Sequence, residues 1–202
     1  MIKVENIEVY NIARAVYSAR NALNSWDKSD SDIENDVLGE NDLDLARRLF
    51  RAGHPSRKFL RQIFVSMDIV APLYWWKQAD QTKVGTVTNS CSTMHKIHDK
   101  EFTLDDFSHE HLKPVSESVM DTIIRELNSF RNLYLTHRDK EYWWQMIQLL
   151  PSSYNQRRTL TMNYENVANI IEYRSDHKLD EWRSFVETLK ELPYVKEIID
   201  GV

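Results

Sequence analysis

The chain has 202 residues, 42% apolar and 28% charged, which suits one globular, soluble domain with a sizeable core. Its net charge of −5 gives no global basic field, so nucleic acid is not an expected partner and a nucleotide ligand needs a local basic pocket. One cysteine, Cys91, excludes an internal disulfide and fits a reducing, cytoplasmic setting. No signal-length apolar run opens the chain, and no window approaches the roughly 18 apolar residues of a membrane span, so no membrane partner is expected. With only 4 glycines, the Gly-rich phosphate loops GxGxxG and P-loop are absent.

Ile12 to Leu23 predicts a helix, with Ala13, Val16, Ala19 and Leu23 at helical spacing. From Asn24 to Asp42 the chain turns acidic and polar, and an exposed loop is expected there. Asn41 can cap the next helix, Asp42 to Arg51. Gly53-His54-Pro55 ends it. Ile63 to Val70 then alternates, with Ile63, Val65, Met67 and Ile69 on one parity, and predicts a strand. Pro72 opens a short helix, Leu73 to Ala79, bearing Trp75 and Trp76. Gln81 to Met94 is polar, irregular and rich in hydroxyls.

Val115 to Leu135 predicts the longest helix, and Lys140 to Leu150 a second one carrying Trp143 and Trp144. Pro151 and the serines after it break that helix. Arg157 to Met162 carries Thr159 and Thr161 on one parity and Leu160 and Met162 on the other, a strand pattern. Asn163 fits the N-cap of a helix that runs to Arg174. Leu179 to Leu189 and Tyr194 to Ile199 are amphipathic. No linker divides the chain, so a single domain over 1–202 is expected, with the acidic loop at about 24–42.

The helix after Asn163 is unusual. Val167, Ile170 and Ile171 form an apolar stripe, and Arg174 falls on that stripe one turn later. A guanidinium on a buried face is costly unless an anion or carbonyl answers it. Two readings fit: Arg174 turns out to solvent at the helix end and the asparagines only cap, or these residues face a ligand. Elsewhere the chemistry is sparse. His95 and His98, and His109 and His111, lack the spacing of a metal quartet, so no metal is expected. No base can be paired with Cys91 to make a nucleophile. The tryptophans suit a core or an oligomer interface. Lys77, Lys83, Lys96, Arg157, Arg158 and Arg174 form a phosphate pocket only if the fold gathers them.

Leu150-Pro151-x6-Arg158-x2-Thr161-x-Asn163-x5-Asn169-x4-Arg174, followed by Trp182, resembles the C-terminal segment of the flavin-dependent thymidylate synthases (thymidylate synthase complementing proteins). Gly53-His54, the alternating strand, Ala71-Pro72 and Gln78 fall in the same order as in that family, so the likeness spans roughly Ala15 to Trp182. The resemblance implies an α/β (α+β) domain whose helices flank a central, mainly antiparallel sheet. It also implies a homotetramer in which FAD and dUMP share sites formed where subunits meet. The implied reaction is reductive methylation of dUMP to dTMP, with methylene-tetrahydrofolate giving the carbon and NADPH reducing the flavin. Carried over, His54, Asn163 and Asn169 are FAD-binding residues. Gln78 and Arg174 bind the nucleotide and act in catalysis.

The family signature RHRxxSxNExSxRY is changed. Its ungapped counterpart is Gln81-Thr82-Lys83-Val84-Gly85-Thr86-Val87-Thr88-Asn89-Ser90-Cys91-Ser92-Thr93-Met94, with no paired arginines and no Asn-Glu. An arginine expected just before the Leu-Pro is Ile147. Lys83, Ser90 and Ser92, with backbone N–H groups of the same loop, are the candidates to hold phosphate instead. These changes leave room for a protein of the same fold with altered or lost activity, a modified-pyrimidine enzyme or a flavin-binding protein. A non-enzymatic oligomeric interaction protein is the third alternative.

Overall fold

The computed structural model describes residues 1–199. Among them, four strands form one open sheet in the order β1-β2-β4-β3: β1 (Lys3–Tyr10), β2 (Phe64–Pro72), β3 (Thr86–Ser90) and β4 (Asn155–Asn163). Helices flank the sheet, as the expected mixed α/β class requires. The central pair is antiparallel. Thr161 Oγ1 donates to Ser66 Oγ at 3.1 Å and Thr159 Oγ1 to Asp68 Oδ1 at 2.6 Å, so residue numbers rise on β4 as they fall on β2.

β2 alternates as its sequence does: Val65, Met67, Ile69 and Ala71 are buried, and Ser66, Asp68 and Val70 only half-buried. β4 buries Gln156, Leu160 and Met162. The two outer strands were not expected from sequence. Both are largely exposed, and an edge strand of this kind needs no run of inward apolar residues to betray it.

The chain gathers into two compact units, each described on its own. One comprises Met1–Lys3, Ile69–Gln81 and Asn89–Arg158. It holds α3 (Leu73–Ala79), the one-turn α4 (Thr93–Lys96), the 24-residue α5 (Pro114–His137) and α6 (Lys140–Leu149). Its core is Phe102, Phe107, Met120, Leu127 and Met146, with Ile97 beside them. Pro114 opens α5 at a position where its missing N–H costs nothing.

The other unit comprises Val4–Asp68, Thr82–Thr88 and the chain from Thr159 onward. It holds α1 (Ile12–Ala19), α2 (Glu40–Arg51), α7 (Tyr164–Arg174), α8 (Asp180–Lys190) and α9 (Val195–Ile198). The helix expected to reach Leu23 ends at Ala19. It tightens into a 3-10 turn over Arg20–Leu23 and stops at Asn24, which takes a left-handed conformation (φ 47°).

In this second unit the acidic segment before α2 acts as a strap. Asp36 accepts from Ala13 N at 2.7 Å, on the first turn of α1. Asp30 accepts from Asn41 N at 2.9 Å and from Asp42 N at 3.1 Å, on the first turn of α2. Carboxylates are favoured at both places, because helix N-termini present unpaired N–H groups and positive dipole ends. Hence Asn41 is not the cap. Gly39 occupies that position, and a Cβ there would run into the Asp30 carboxyl. Asp42, fully buried, accepts from Arg20 Nε, Ser29 Oγ and Ser31 Oγ at 2.5–2.6 Å.

Candidate functional site

In the second unit, the start of α7 carries the densest polar chemistry. Asn163 ends β4 and caps α7, its Oδ1 accepting from Asn166 N at 3.0 Å. Asn166 is buried, and its Nδ2 donates to the carbonyls of Val84 (3.0 Å) and Gly85 (3.2 Å). That clamp ties residues 82–88 to the helix start. Gly85 is required by it. Its φ is +73°, and an added Cβ would collide with the Asn163 amide and come within 3.0 Å of Asn166 Nδ2.

The clamp leaves donors unspent. Asn163 Nδ2 and the half-buried carboxamide of Asn169 make no hydrogen bond among the described residues. Lys83, exposed beside the clamp, has no carboxylate partner among them either. Asn166 is not among the residues that the sequence singles out. Its clamping role depends on carbonyls 81 and 82 residues away, which no local pattern encodes.

Arg174 lies at the last residue of α7, half-buried. Its guanidinium sits 4.9 Å from the centre of the buried Trp182 ring of α8. The ring face answers the charge in part, and stacking fixes the plane of the guanidinium. It pairs with no carboxylate among the described residues. The His177 imidazole is held below its ordinary value, first by desolvation and then by Arg174, Arg183 and Lys178. Thus the Arg174 guanidinium at the end of α7 is held in place with its N–H donors unspent.

His54 is exposed, with Nδ1 3.7 Å from Glu165 on the first turn of α7. Glu165 also takes a two-point contact from Arg61, at 2.6 and 3.0 Å. The Arg61 hydrogen bond is the chief reason the Glu165 carboxyl sits below its usual range.

The other predicted site residues belong to the first unit. Gln78 is half-buried on α3. Ser90 is exposed at the end of β3, and Ser92 caps α4 by accepting from His95 N at 3.1 Å. Near them Arg158 is built in firmly. It lies 4.4 Å over the Trp76 ring, donates to Gln156 Oε1 at 2.9 Å and pairs with Asp80 at 2.7 Å. Trp76 Nε1 in turn donates to Gln156 O at 2.9 Å. Cys91 is exposed and lines a cavity of about 480 Å³ with Lys96, Lys100, Asp106 and Tyr154. The lysines there are taken by Asp99 and Asp106. Among the described residues no group of His, Cys, Asp and Glu could hold a metal ion, and no helix is long and apolar enough to cross a membrane.

No family model matches the sequence, and no curated protein matches it. Solved structures do. A crystal structure of the flavin-dependent thymidylate synthase ThyX from Helicobacter pylori complexed with FAD and dUMP superposes with a TM-score of 0.68, over 98% of this chain and 97% of that one, at 16% identity. A second structure of ThyX from the same organism, with FAD and dUMP, gives 0.70 over 99% and 98% at 17% identity. The chain has the fold of a flavin-dependent thymidylate synthase. The match runs nearly end to end on both chains, so the shared fold takes in the 81–94 segment as well as α7.

Proposed function

We propose that this chain binds FAD and a pyrimidine nucleotide and carries out reductive methylation of dUMP to dTMP. The supporting observation is the near-complete superposition on ThyX structures complexed with FAD and dUMP. The donor chemistry of α7 fits a flavin. Carboxamides both donate and accept, as the alternating N–H and C=O edge of the ring demands; Asn169 has that capacity unspent, and Asn163 keeps its Nδ2 donor. In this reading Asn163, Asn169 and His54 hold FAD, which when bound supplies the hydride, with NADPH and methylene-tetrahydrofolate as co-substrates.

Arg174 is assigned to the nucleotide. Stacking on Trp182 orients its fork of donors, which suits a phosphate or a base carbonyl carrying negative charge. As a base is attacked at a ring carbon, charge grows on the carbonyls, and a fixed guanidinium stabilises that charge more than the neutral ground state. Gln78 is assigned to the pyrimidine edge, where its amide orients and polarises the base. Lys83, Ser90 and Ser92 are assigned to the phosphate. We also assign the chain a homotetrameric state and a cytoplasmic location.

The test is to purify the protein, titrate it with FAD, and then incubate it with dUMP, methylene-tetrahydrofolate and NADPH. Flavin binding and dTMP formation are the expected results. Protein that takes up no flavin on titration would overturn the reading. A second reading, the same fold acting on another pyrimidine or without turnover, draws on one observation: 81–94 lacks all three arginines and the glutamate of the family signature. Flavin and nucleotide binding without dTMP would favour it.

A further inference from the structure

The turn between α5 and α6, in the first unit, carries chemistry that the proposed function does not use. Met94, His95, Tyr134, Arg138, Lys140 and Trp143 line a concave basin of about 450 Å³. Three of the six bear basic side chains, and none is acidic. The chain as a whole carries net charge −5, so a carboxylate-free basic basin is a local departure from its composition. Neither Arg138 nor Lys140 pairs with a carboxylate among the described residues. Asp139, between them, turns its carboxylate to Glu141 N (2.9 Å) as the cap of α6.

Both cations lie against aromatic rings instead. The Arg138 guanidinium is 5.6 Å from the Tyr134 ring, and the Lys140 ammonium is 5.9 Å from the Trp144 ring. Trp143 is fixed as well: its Nε1 donates to Met94 O at 3.0 Å, and its ring meets Trp144 edge-on at 4.8 Å. The basin is therefore lined by a held indole and by two cations that have no carboxylate partner among the described residues. Its backbone is also strained at a telling place. Arg138 closes α5 in the left-handed region (φ 56°), where glycine is at ease and an arginine is not.

We propose that this basin is a binding site for a nucleoside monophosphate, with the base against Trp143 and the phosphate between Arg138 and Lys140. An aromatic platform beside unpaired cations is what a planar ring bearing a phosphate recognises. None of the lining residues is among those assigned above to FAD or dUMP, and the inference does not depend on that assignment.

The probe is AMP, titrated calorimetrically into the full chain with saturating FAD and dUMP present. AMP is expected to bind about tenfold more tightly than adenosine, which lacks the charge, or inorganic phosphate, which lacks the ring. Arg138→Gly is the decisive variant, because glycine relieves the positive φ and so keeps the turn while removing the cation. It and Lys140→Ala are each expected to weaken AMP by about threefold to tenfold. Neither variant's melting temperature should fall, Arg138→Gly raising it if anything, and their FAD titrations should not change. AMP affinity untouched by both variants, or lost once FAD and dUMP saturate the protein, overturns the proposal. So does a single-stranded oligothymidylate that binds where AMP does not, since the site would then belong to a strand. If the protein binds neither FAD nor dUMP, the proposed function fails while the AMP titration is read unchanged.

Discussion

Two arginines of the same unit have opposite fates. Arg20, buried at the end of α1, is met by the fully buried Asp42, which Ser29 and Ser31 also serve. Arg174, at the end of α7, meets only the face of Trp182. At the first, every strong donor and acceptor is consumed in folding, and the result is a strap that holds down the acidic segment. At the second, the ring orients the cation but uses none of its N–H donors. Polar groups spent within the fold report on stability, whereas polar groups held in place but unspent report on ligands.

Asp42→Ala should do the most damage, because it leaves the Arg20 charge buried without a partner. A loss of about 3–5 kcal/mol is expected, read from urea denaturation. A variant as stable as the parent would erase the contrast. Arg174→Ala should behave the other way: stability falls by no more than about 1 kcal/mol, the size of an exposed cation–π contact. Nucleotide affinity falls by about ten- to a hundredfold, the loss of a charged hydrogen bond. Unchanged dUMP binding would place Arg174 with the structural arginines.

Acid provides a milder probe of the Asp42 site. Desolvation opposes its charge, but the hydrogen bonds from Ser29, Ser31 and Arg20 outweigh it, so the folded carboxyl titrates below its ordinary value. The stability it contributes is complete above the unfolded value of about 3.9 and disappears as pH falls through the lower folded one. The acid-unfolding curve of Asp42→Asn should lack that step. The smallest effect is expected at Asp30→Ala, which loses two contacts to the first turn of α2 and costs about 1 kcal/mol by thermal melt.

Much of this fold was legible in the chain. The alternation of β2, the Pro72 start of α3, the long α5 and the Asn163 cap all appear where the residues predict them, since each is a local pattern with a local cause. β1 and β3 were not legible, because exposed edges carry no inward apolar parity. The acidic stretch was readable only as polar, and its carboxylates became helix caps through bonds to residues 11 to 23 positions away. At the candidate site, Arg174 stands out in the sequence because it falls on the apolar stripe of its helix, whereas the flavin role of Asn163 and Asn169 is what the family resemblance implies. The clamp from Asn166 to Val84 and Gly85, and the basin at the α5–α6 turn, had no such signal.

By itself, then, the sequence determined the α/β character, the central strands, the helix that carries Arg174 and the oddity of an arginine on its apolar stripe. Only the tertiary structure decided which polar groups are used up and which remain. That distinction depends on partners far apart in the chain, such as Trp182 for Arg174 and the Val84 and Gly85 carbonyls for Asn166. A hydrogen bond is satisfied by proximity in space, and residue order does not record that proximity.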